Sequence, residues 1–149
     1  MAITFENIYK DRVLDNIQKL LKQNLSSIPI LYSEHRGQES FLIIPESDTF
    51  LDHSSNVHLR QYSTTIDYRL RRGGEYTKDN HLNRLTTIAE SVKRILFDNK
   101  NFESDSTSQW YNGIVDSVEY TRDEDDENIS NVAITFQCNV NEVISWNIN

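Results

Sequence analysis

The sequence has a single cysteine and no long hydrophobic run, and each absence removes a class of protein. Cys138 has no second cysteine to pair with, and its place in an alternating apolar segment favours a buried, unreactive thiol. No run approaches the roughly 20 apolar residues of a membrane-spanning helix, and the first residues lack the basic and apolar regions of a signal peptide. We therefore expect a soluble protein made in a cytoplasm, without a membrane partner.

Positive charge is also scarce. The chain has 15 Lys and Arg against 23 Asp and Glu, a formal net charge of -8. Because phosphate contacts need clustered cations, this balance argues against nonspecific nucleic-acid binding. The length of 149 residues suits one domain, which we expect to span residues 1–149 with an extended tail over residues 141–149. Val143, Ile144 and Trp146 in that tail would continue an edge strand or dock on a neighbouring molecule.

Recognised catalytic motifs are missing from the sequence. No serine lies in a Gly-x-Ser-x-Gly elbow, and Gly73-Gly74 lacks the Lys-Ser/Thr pair of a phosphate loop, so we interpret the glycine pair as a turn. The histidines are scattered and do not have the spacing of a helical metal site: His35, His53, His58 and His81. The sequence thus indicates no catalytic residue, metal or cofactor.

A small metal-dependent enzyme is nevertheless an alternative to be weighed. Asp67, Glu75 and Lys78 suggest part of a metal nuclease set, but Arg69 stands where such a set prefers lysine. The run Asp123–Glu127 has the composition of a cation site without the glycine and glutamate spacing of a calcium loop. We interpret the run as a solvated hairpin tip, or as a contact for a basic partner.

The clearest structural pattern runs from Tyr62 to Phe97. Apolar and β-branched residues first fall at every second position, as in a strand, and the pattern then passes through a basic, glycine-containing loop. Helical spacing follows in a stripe that comprises Leu82, Leu85, Ile88, Ala89, Val92, Ile95 and Leu96. This segment predicts a strand, a loop and an amphipathic helix that ends near Phe97.

The remaining segments are assigned by the same patterns. They are a first helix from Thr4 to about Asn24, a hairpin of Ile30–Ser33 with Phe41–Ile44, a surface loop over Glu46–Asn56, a bulge near Arg60–Gln61, a polar loop over Asn99–Gln109, and a second hairpin whose strands include Trp110–Tyr120 and Val132–Val140. The element order α-β-β-β-α-β-β predicts an α+β fold, a mostly antiparallel sheet of four to five strands with two amphipathic helices packed on one face. The step from Tyr68 to Val118 would add one parallel pair.

Charge is distributed unevenly between two segments of the chain. The cations are Arg69, Arg71 and Arg72, and the acidic run consists of Asp123, Glu124, Asp125, Asp126 and Glu127. The basic cluster is either a solvated strand end or a surface that meets the acidic run of another copy. Opposite charges on different elements favour a head-to-tail contact, which closes into a ring when the rotation permits.

The layout as a whole resembles the tail-terminator family of tailed bacteriophages, the lambda-type tail completion proteins, and related neck proteins. The resemblance rests on element order: an N-terminal helix, a strand after Pro29, the strand Tyr62–Leu70, the helix Leu82–Leu96, and a hairpin that ends in Val132–Cys138. No single diagnostic motif carries it.

The resemblance implies a structural virion protein that is not an enzyme. Such a protein forms a ring, usually a homohexamer, that caps the tail tube and joins it to the head-side connector. Its implied partners are copies of itself, the tail-tube protein and connector or neck proteins, with DNA present only as the genome passing through the ring lumen. Its implied location is the virion neck, after assembly in the host cytoplasm. A head–tail connector or a sheath-associated neck subunit is the neighbouring alternative.

Overall fold

Four strands of 15 or 16 residues dominate the structure, a computed structural model that describes residues 5–54, 56–74, 76–104 and 107–143. The helices are α1 (Asp15–Asn24), which continues a π-helical segment (Tyr9–Leu14), and α2 (Lys78–Asp98). The strands are β1 (Ile30–Leu31), β2 (Glu39–Ser54), β3 (Val57–Arg71), β4 (Phe102–Ser104), β5 (Thr107–Arg122) and β6 (Ile129–Val143). They form one sheet in the order β1-β2-β3-β6-β5-β4.

This sheet corrects the predicted fold class. It is a six-stranded, mixed sheet curled into a half-barrel, not a mostly antiparallel layer of four to five strands with helices packed on one face. Among the described residues, strand makes up 50% and helix 28%, so this part of the protein is mostly β. The sixth strand, β4, lies in the segment Asn99–Gln109 that was predicted to be a loop.

The predicted surface loop over Glu46–Asn56 is also wrong. Most of it is the second half of β2, which pairs with β3 as far as Ser54 and Val57. Residues 45–54 are all exposed. A strand exposed on both faces has no buried side to impose alternation, so its sequence carries no period of two.

Irregular pairing on β2 and β5 explains the curl. The register shifts between Pro45 and Ser47 and between Phe50 and Asp52 on β2, and at two places between Tyr111 and Ser117 on β5. Such bulges bend a strand and increase its twist. The bulge predicted near Arg60–Gln61 is not on β3, which pairs with β6 without interruption, but on the partner strand β2, whose register shifts between Phe50 and Asp52 opposite Arg60 and Leu59.

The one parallel pair lies at the start of the sheet. Ile30 and Leu31 run parallel to Phe41 and Leu42, so the predicted hairpin between these segments is wrong. Residues 32–38 carry the chain back so that both strands point the same way. The parallel pair expected from the step between Tyr68 and Val118 does not form, because β6 lies between β3 and β5 and pairs antiparallel with both.

Both helices follow the predicted apolar stripes for most of their length. The first ends at Asn24 as predicted, but helical structure begins at about Tyr9, and the predicted cap Thr4 lies outside the described residues. The second ends at Asp98, close to the predicted end. Leu82 departs from the stripe, because its side chain is exposed on the first turns of α2.

One core joins the sheet and the helices. Even-numbered residues of β3 and β6 face it, and their partners come from β2 and the helices: the largest buried side chains include Trp110, Tyr68, Phe41, Phe136, Ile17, Leu21, Ile66, Ile88 and Ile134. Cys138 is among the buried residues, as predicted, and burial raises the pKa of its thiol to about 12. A protonated thiol inside the core is a poor nucleophile.

Candidate functional site

The predicted basic cluster and acidic run lie next to each other in the same chain. The antiparallel register of β3 and β6 places Arg71 opposite Ile129, directly beside the β5–β6 turn. Arg71 Nη1 lies 3.1 Å from Asp126 Oδ2, and both side chains are partly exposed. The register therefore supplies an intrachain partner for one cation of the predicted interface.

The acidic run also folds its own turn. Asp123 Oδ1 accepts hydrogen bonds from the backbone N–H groups of Asp125 (2.8 Å) and Asp126 (3.2 Å), and Asp126 Oδ1 accepts one from the N–H of Asn128 (3.0 Å). Aspartate commonly stabilises turns in this way. Glu124 and Glu127 of the run are exposed.

Of the other two predicted interface arginines, Arg69 contacts the backbone through its side chain and Arg72 through its own backbone N–H. Arg69 Nη2 donates to the carbonyl of Gly37 at 3.4 Å, and the Arg72 N–H donates to the carbonyl of Asn128 at 2.6 Å. The Nε atoms of Arg69 and Arg72 are buried and have no hydrogen-bond partner within the described residues. The structure therefore brings the predicted site residues together as one mixed patch at a sheet end.

A histidine, a serine and an aspartate form a hydrogen-bonded chain on the outer face of the sheet. His35 Nε2 lies 2.9 Å from Asp67 Oδ2, and His35 Nδ1 lies 2.7 Å from Ser40 Oγ. Asn131 Nδ2 donates to the same Asp67 oxygen at 3.0 Å. Asp67 points away from the core because its strand neighbours Ile66 and Tyr68 are buried.

This chain of groups holds a loop in place. Ser40 is 0% exposed, so a substrate cannot reach its hydroxyl, and the backbone N–H of Arg36 donates to the same Oγ at 3.3 Å. A catalytic serine must be able to reach the carbonyl that it attacks. His35 and its partners therefore fasten residues 32–38 over the sheet.

The proposed metal chemistry of Asp67 finds no support in these contacts. Among the described residues, no group of three or more His, Cys, Asp or Glu side chains is arranged to hold a metal ion. Glu75 and the Lys78 side chain, the other members of that set, lie outside what the structure describes. His53 and His58 pack with Phe50 instead, with ring centroids 5.5–6.3 Å apart.

A second polar network lies where α2 begins to cross the sheet. Glu39 accepts two hydrogen bonds from the guanidinium of Arg84, at 3.0 and 3.2 Å, and one from the hydroxyl of Tyr68. The hydrogen bond from Arg84 to Glu39 raises the pKa of Arg84, while burial and then Glu39 raise the pKa of Tyr68. The network ties β2, β3 and α2 together.

Large apolar side chains are exposed mainly at the two opposite sides of the sheet. On the β1–β2 side they are Tyr32, Phe50 and Leu51, and on the side of β5 and the end of α2 they are Phe97, Ile114 and Tyr120. Phe5 and Leu82 are the other two exposed large apolar residues in the described ranges. Because Phe50 and Leu51 interrupt a polar segment, the sequence pattern favours their burial, and this prediction is wrong. The other exposed residues were not identified from the sequence pattern.

A groove of about 640 Å³ lies between α2 and β5. Phe97, 60% exposed, and Ile114, 58% exposed, face it together with Val115. Lys93, Arg94 and Lys100 line its rim with a single acid, Glu90. In a chain of net charge -8, this is a locally cationic surface with an apolar floor.

Backbone contacts fix the shape of the groove. The Gly113 N–H donates to the Lys100 carbonyl at 2.8 Å, and Trp110 Nε1 donates to the Asn99 carbonyl at 2.8 Å. A Cβ on Gly113 would lie 2.9 Å from the Phe136 ring and 3.1 Å from the Lys100 carbonyl. Only glycine permits this approach, so the end of α2 is held against β5.

Comparison with known proteins identifies no family for the chain. No protein-family model matches it, and a search of curated proteins finds no significant match. Within the described residues, no helix is long and apolar enough to cross a membrane. The surface geometry and the sequence resemblance must therefore carry the functional argument.

Proposed function

We propose that this protein is a structural subunit that assembles head to tail into a ring, and that it serves as a tail-terminator-type protein of a phage neck. The observation that carries the proposal is the division of exposed apolar side chains between the β1–β2 side and the β5–α2 side of the sheet. Two different apolar surfaces on opposite sides of one subunit favour a heterologous contact, in which one surface of each subunit binds the other surface of its neighbour. Repetition of that contact closes a ring when the rotation permits.

The potentially reactive side chains make contacts within the chain, which supports an assembly function over an enzymatic one. His35 and Asp67 hold a loop, Glu39 holds α2, and Cys138 is buried in the core. These groups stabilise the fold through close internal contacts. The surface features left over are apolar and charged patches, which suit protein contacts.

Self-association of the purified chain tests the assembly step. We expect sedimentation velocity at micromolar concentration and low salt to show a discrete oligomer, and negative-stain images to show rings of that mass. Low salt is chosen because the attraction between exposed charges of two subunits is screened least at low ionic strength. A chain that sediments as a monomer throughout this range, and gives no rings on a grid, would contradict the proposed function.

The position of the ring tests the neck assignment. Gold-labelled protein added to phage tail tubes, or to isolated virions, should decorate the head-proximal tube end. Label on the connector or along the sheath would favour the neighbouring alternative, a connector or sheath-associated neck subunit. If the protein forms rings but labels no virion component, the assembly proposal stands and the neck assignment is wrong.

A further inference from the structure

We infer that the groove between α2 and β5 receives the Phe50–Leu51 segment of β2 from a second copy of this chain. This inference rests on the proposed head-to-tail assembly and names the two surfaces that meet. The groove offers Phe97, Ile114 and Val115 as an apolar floor. Phe50 and Leu51 are nearly half exposed and lie on the opposite side of the sheet.

Local geometry presents Phe50 and Leu51 outward as a compact projection. The register of β2 on β3 shifts between Phe50 and Asp52, which leaves Leu51 without a partner in the ladder. The Phe50 ring rests on His58, with centroids 5.5 Å apart in an edge-to-face arrangement. Because the Phe50 ring already packs on His58, this apolar pair loses little side-chain conformational freedom on binding.

Charge complementarity selects this segment as the occupant. Glu46 and Asp48 precede the apolar pair along β2, and Asp52 follows it. Asp48 Oδ1 accepts a hydrogen bond from Arg60 Nε at 2.6 Å, so Glu46 and Asp52 are the acids of this segment without an ion pair among the described residues. The rim of the groove carries Lys93, Arg94 and Lys100 against the single acid Glu90. The apolar pair lies in an acidic segment, and the apolar side chains of the groove lie beside cations, so the two surfaces are complementary in both polarity and charge sign.

Lys93 of the rim pairs with Glu90 on the same helix, with Nζ 3.1 Å from Oε1 and both side chains exposed, and the other two rim cations are more loosely engaged within their own chain. Arg94 Nε lies 4.0 Å from Asp98 Oδ1, with both side chains largely exposed, and Lys100 Nζ rests 5.4 Å from the centroid of the exposed Phe97 ring. Exposed contacts of this kind contribute little to stability. The cations can therefore turn toward carboxylates of a neighbour at little cost.

Direct strand-to-strand pairing is a poor alternative for this contact. The long strands β2 and β5, which lie next to the short outermost strands β1 and β4, both carry bulges, and β2 also carries Pro45 and acidic side chains. These are the features by which natural sheets block edge-to-edge addition. Association through side chains in a groove avoids that block.

Mixing two broken variants tests the head-to-tail arrangement. Ile114→Asp removes the groove and leaves the projection, whereas Leu51→Asp does the reverse, and both sites are exposed. Each variant alone should lose association by about tenfold or more. An equimolar mixture should form a dimer limited to one copy of each, because only one contact per pair is intact. The control Leu82→Asp, exposed on α2 away from the groove, should assemble like the unmodified chain.

Disulfide cross-linking provides the closing experiment. Ile114→Cys and Leu51→Cys chains, mixed and oxidised, should yield a disulfide-linked heterodimer, while Leu82→Cys mixed with Leu51→Cys should not. The native Cys138 is buried and does not compete. Unmodified protein that assembles, together with Ile114→Asp and Leu51→Asp variants that assemble equally well and no specific cross-link, would overturn this contact and leave the ring proposal intact. Unmodified protein that never assembles would overturn both.

Discussion

Two regions of the molecule treat their charged side chains in opposite ways. Around the start of β2 and the end of β3, which we call the closed end, His35, Glu39 and Arg71 each bond to a carboxylate or guanidinium of the same chain. At the groove between α2 and β5, the cations have weak or exposed partners and lie beside bare apolar side chains. The first region uses its charges to hold strands and a helix together, and the second pairs its charges only within or near one exposed helix, where a neighbouring molecule can reach them.

The contrast shows why an uneven charge distribution is weak evidence for an interface. Arg71 and Asp126 are 55 positions apart in the sequence, yet the β3–β6 register makes them neighbours at 3.1 Å. The groove cations are less conspicuous in the sequence because Glu90 precedes Lys93 and Asp98 separates Arg94 from Lys100. What distinguishes the groove is the exposed Phe97 beside those cations.

The largest effect on stability is expected from breaking the closed end at Glu39. Its carboxylate is mostly buried and accepts hydrogen bonds from Arg84 and Tyr68, so Glu39→Ala leaves a guanidinium and a hydroxyl without their partner. We expect the free energy of unfolding to fall by about 2–4 kcal/mol, measured by urea denaturation. Glu90→Ala at the exposed groove rim is the matched control, and a loss as large as that of Glu39→Ala would erase the distinction between the regions.

An alkaline titration sharpens the same comparison. Burial, and next the hydrogen bond to Glu39, raise the pKa of Tyr68 in the folded protein above the unfolded value of about 10. The unfolded state then releases its proton first, so stability is fully present below pH 10 and falls as pH rises above it. The Tyr68→Phe variant should lose less unfolding free energy between pH 8 and 11, as measured by urea denaturation. Tyr120→Phe, at an exposed site on β5, should leave this loss unchanged, and equal slopes for both variants would refute the assignment.

Sequence patterns predicted the parts of the fold in which burial imposes a period. The alternation from Val132 to Val140 marks the buried face of β6, and the apolar spacing of α2 locates its end. The second half of β2 escaped prediction because both of its faces are exposed. The curl and the strand count also escaped, since they depend on bulges and on pairing between distant segments.

The groove was not predictable because it combines residues of two elements whose contact is set by tertiary structure. One signal was present: Ile95 and Leu96 already complete the apolar stripe, and Phe97, a further step of about 100° around the helix, falls outside it. Gly113 within a strand was a second signal, since a glycine there often marks a close approach of another segment. Neither Phe97 nor Gly113 alone indicates, from the sequence, which segment of the chain lies beside it.

A smaller effect is expected at the pair that joins Arg71 to Asp126. Because both side chains are partly exposed, Arg71→Glu should lower the unfolding free energy by at most about 1 kcal/mol, and the double variant with Asp126→Arg should recover part of it. Urea denaturation and sedimentation velocity are measured on the same samples. An intact oligomer at low salt would assign the pair to the fold, whereas a lost oligomer would restore the interface predicted from the sequence.

The smallest effect on stability is expected in the groove itself. Phe97 and Leu82 lie on the same helix and are 60% and 63% exposed, so Phe97→Ser and Leu82→Ser should each change the unfolding free energy by only about 0.5 kcal/mol. The two variants should differ in self-association alone, because only Phe97 lines the groove. Sedimentation velocity should show weakened assembly for Phe97→Ser and normal assembly for Leu82→Ser. Equal behaviour of the two would mean that exposure on α2, and not the groove, governs how this protein meets its neighbours.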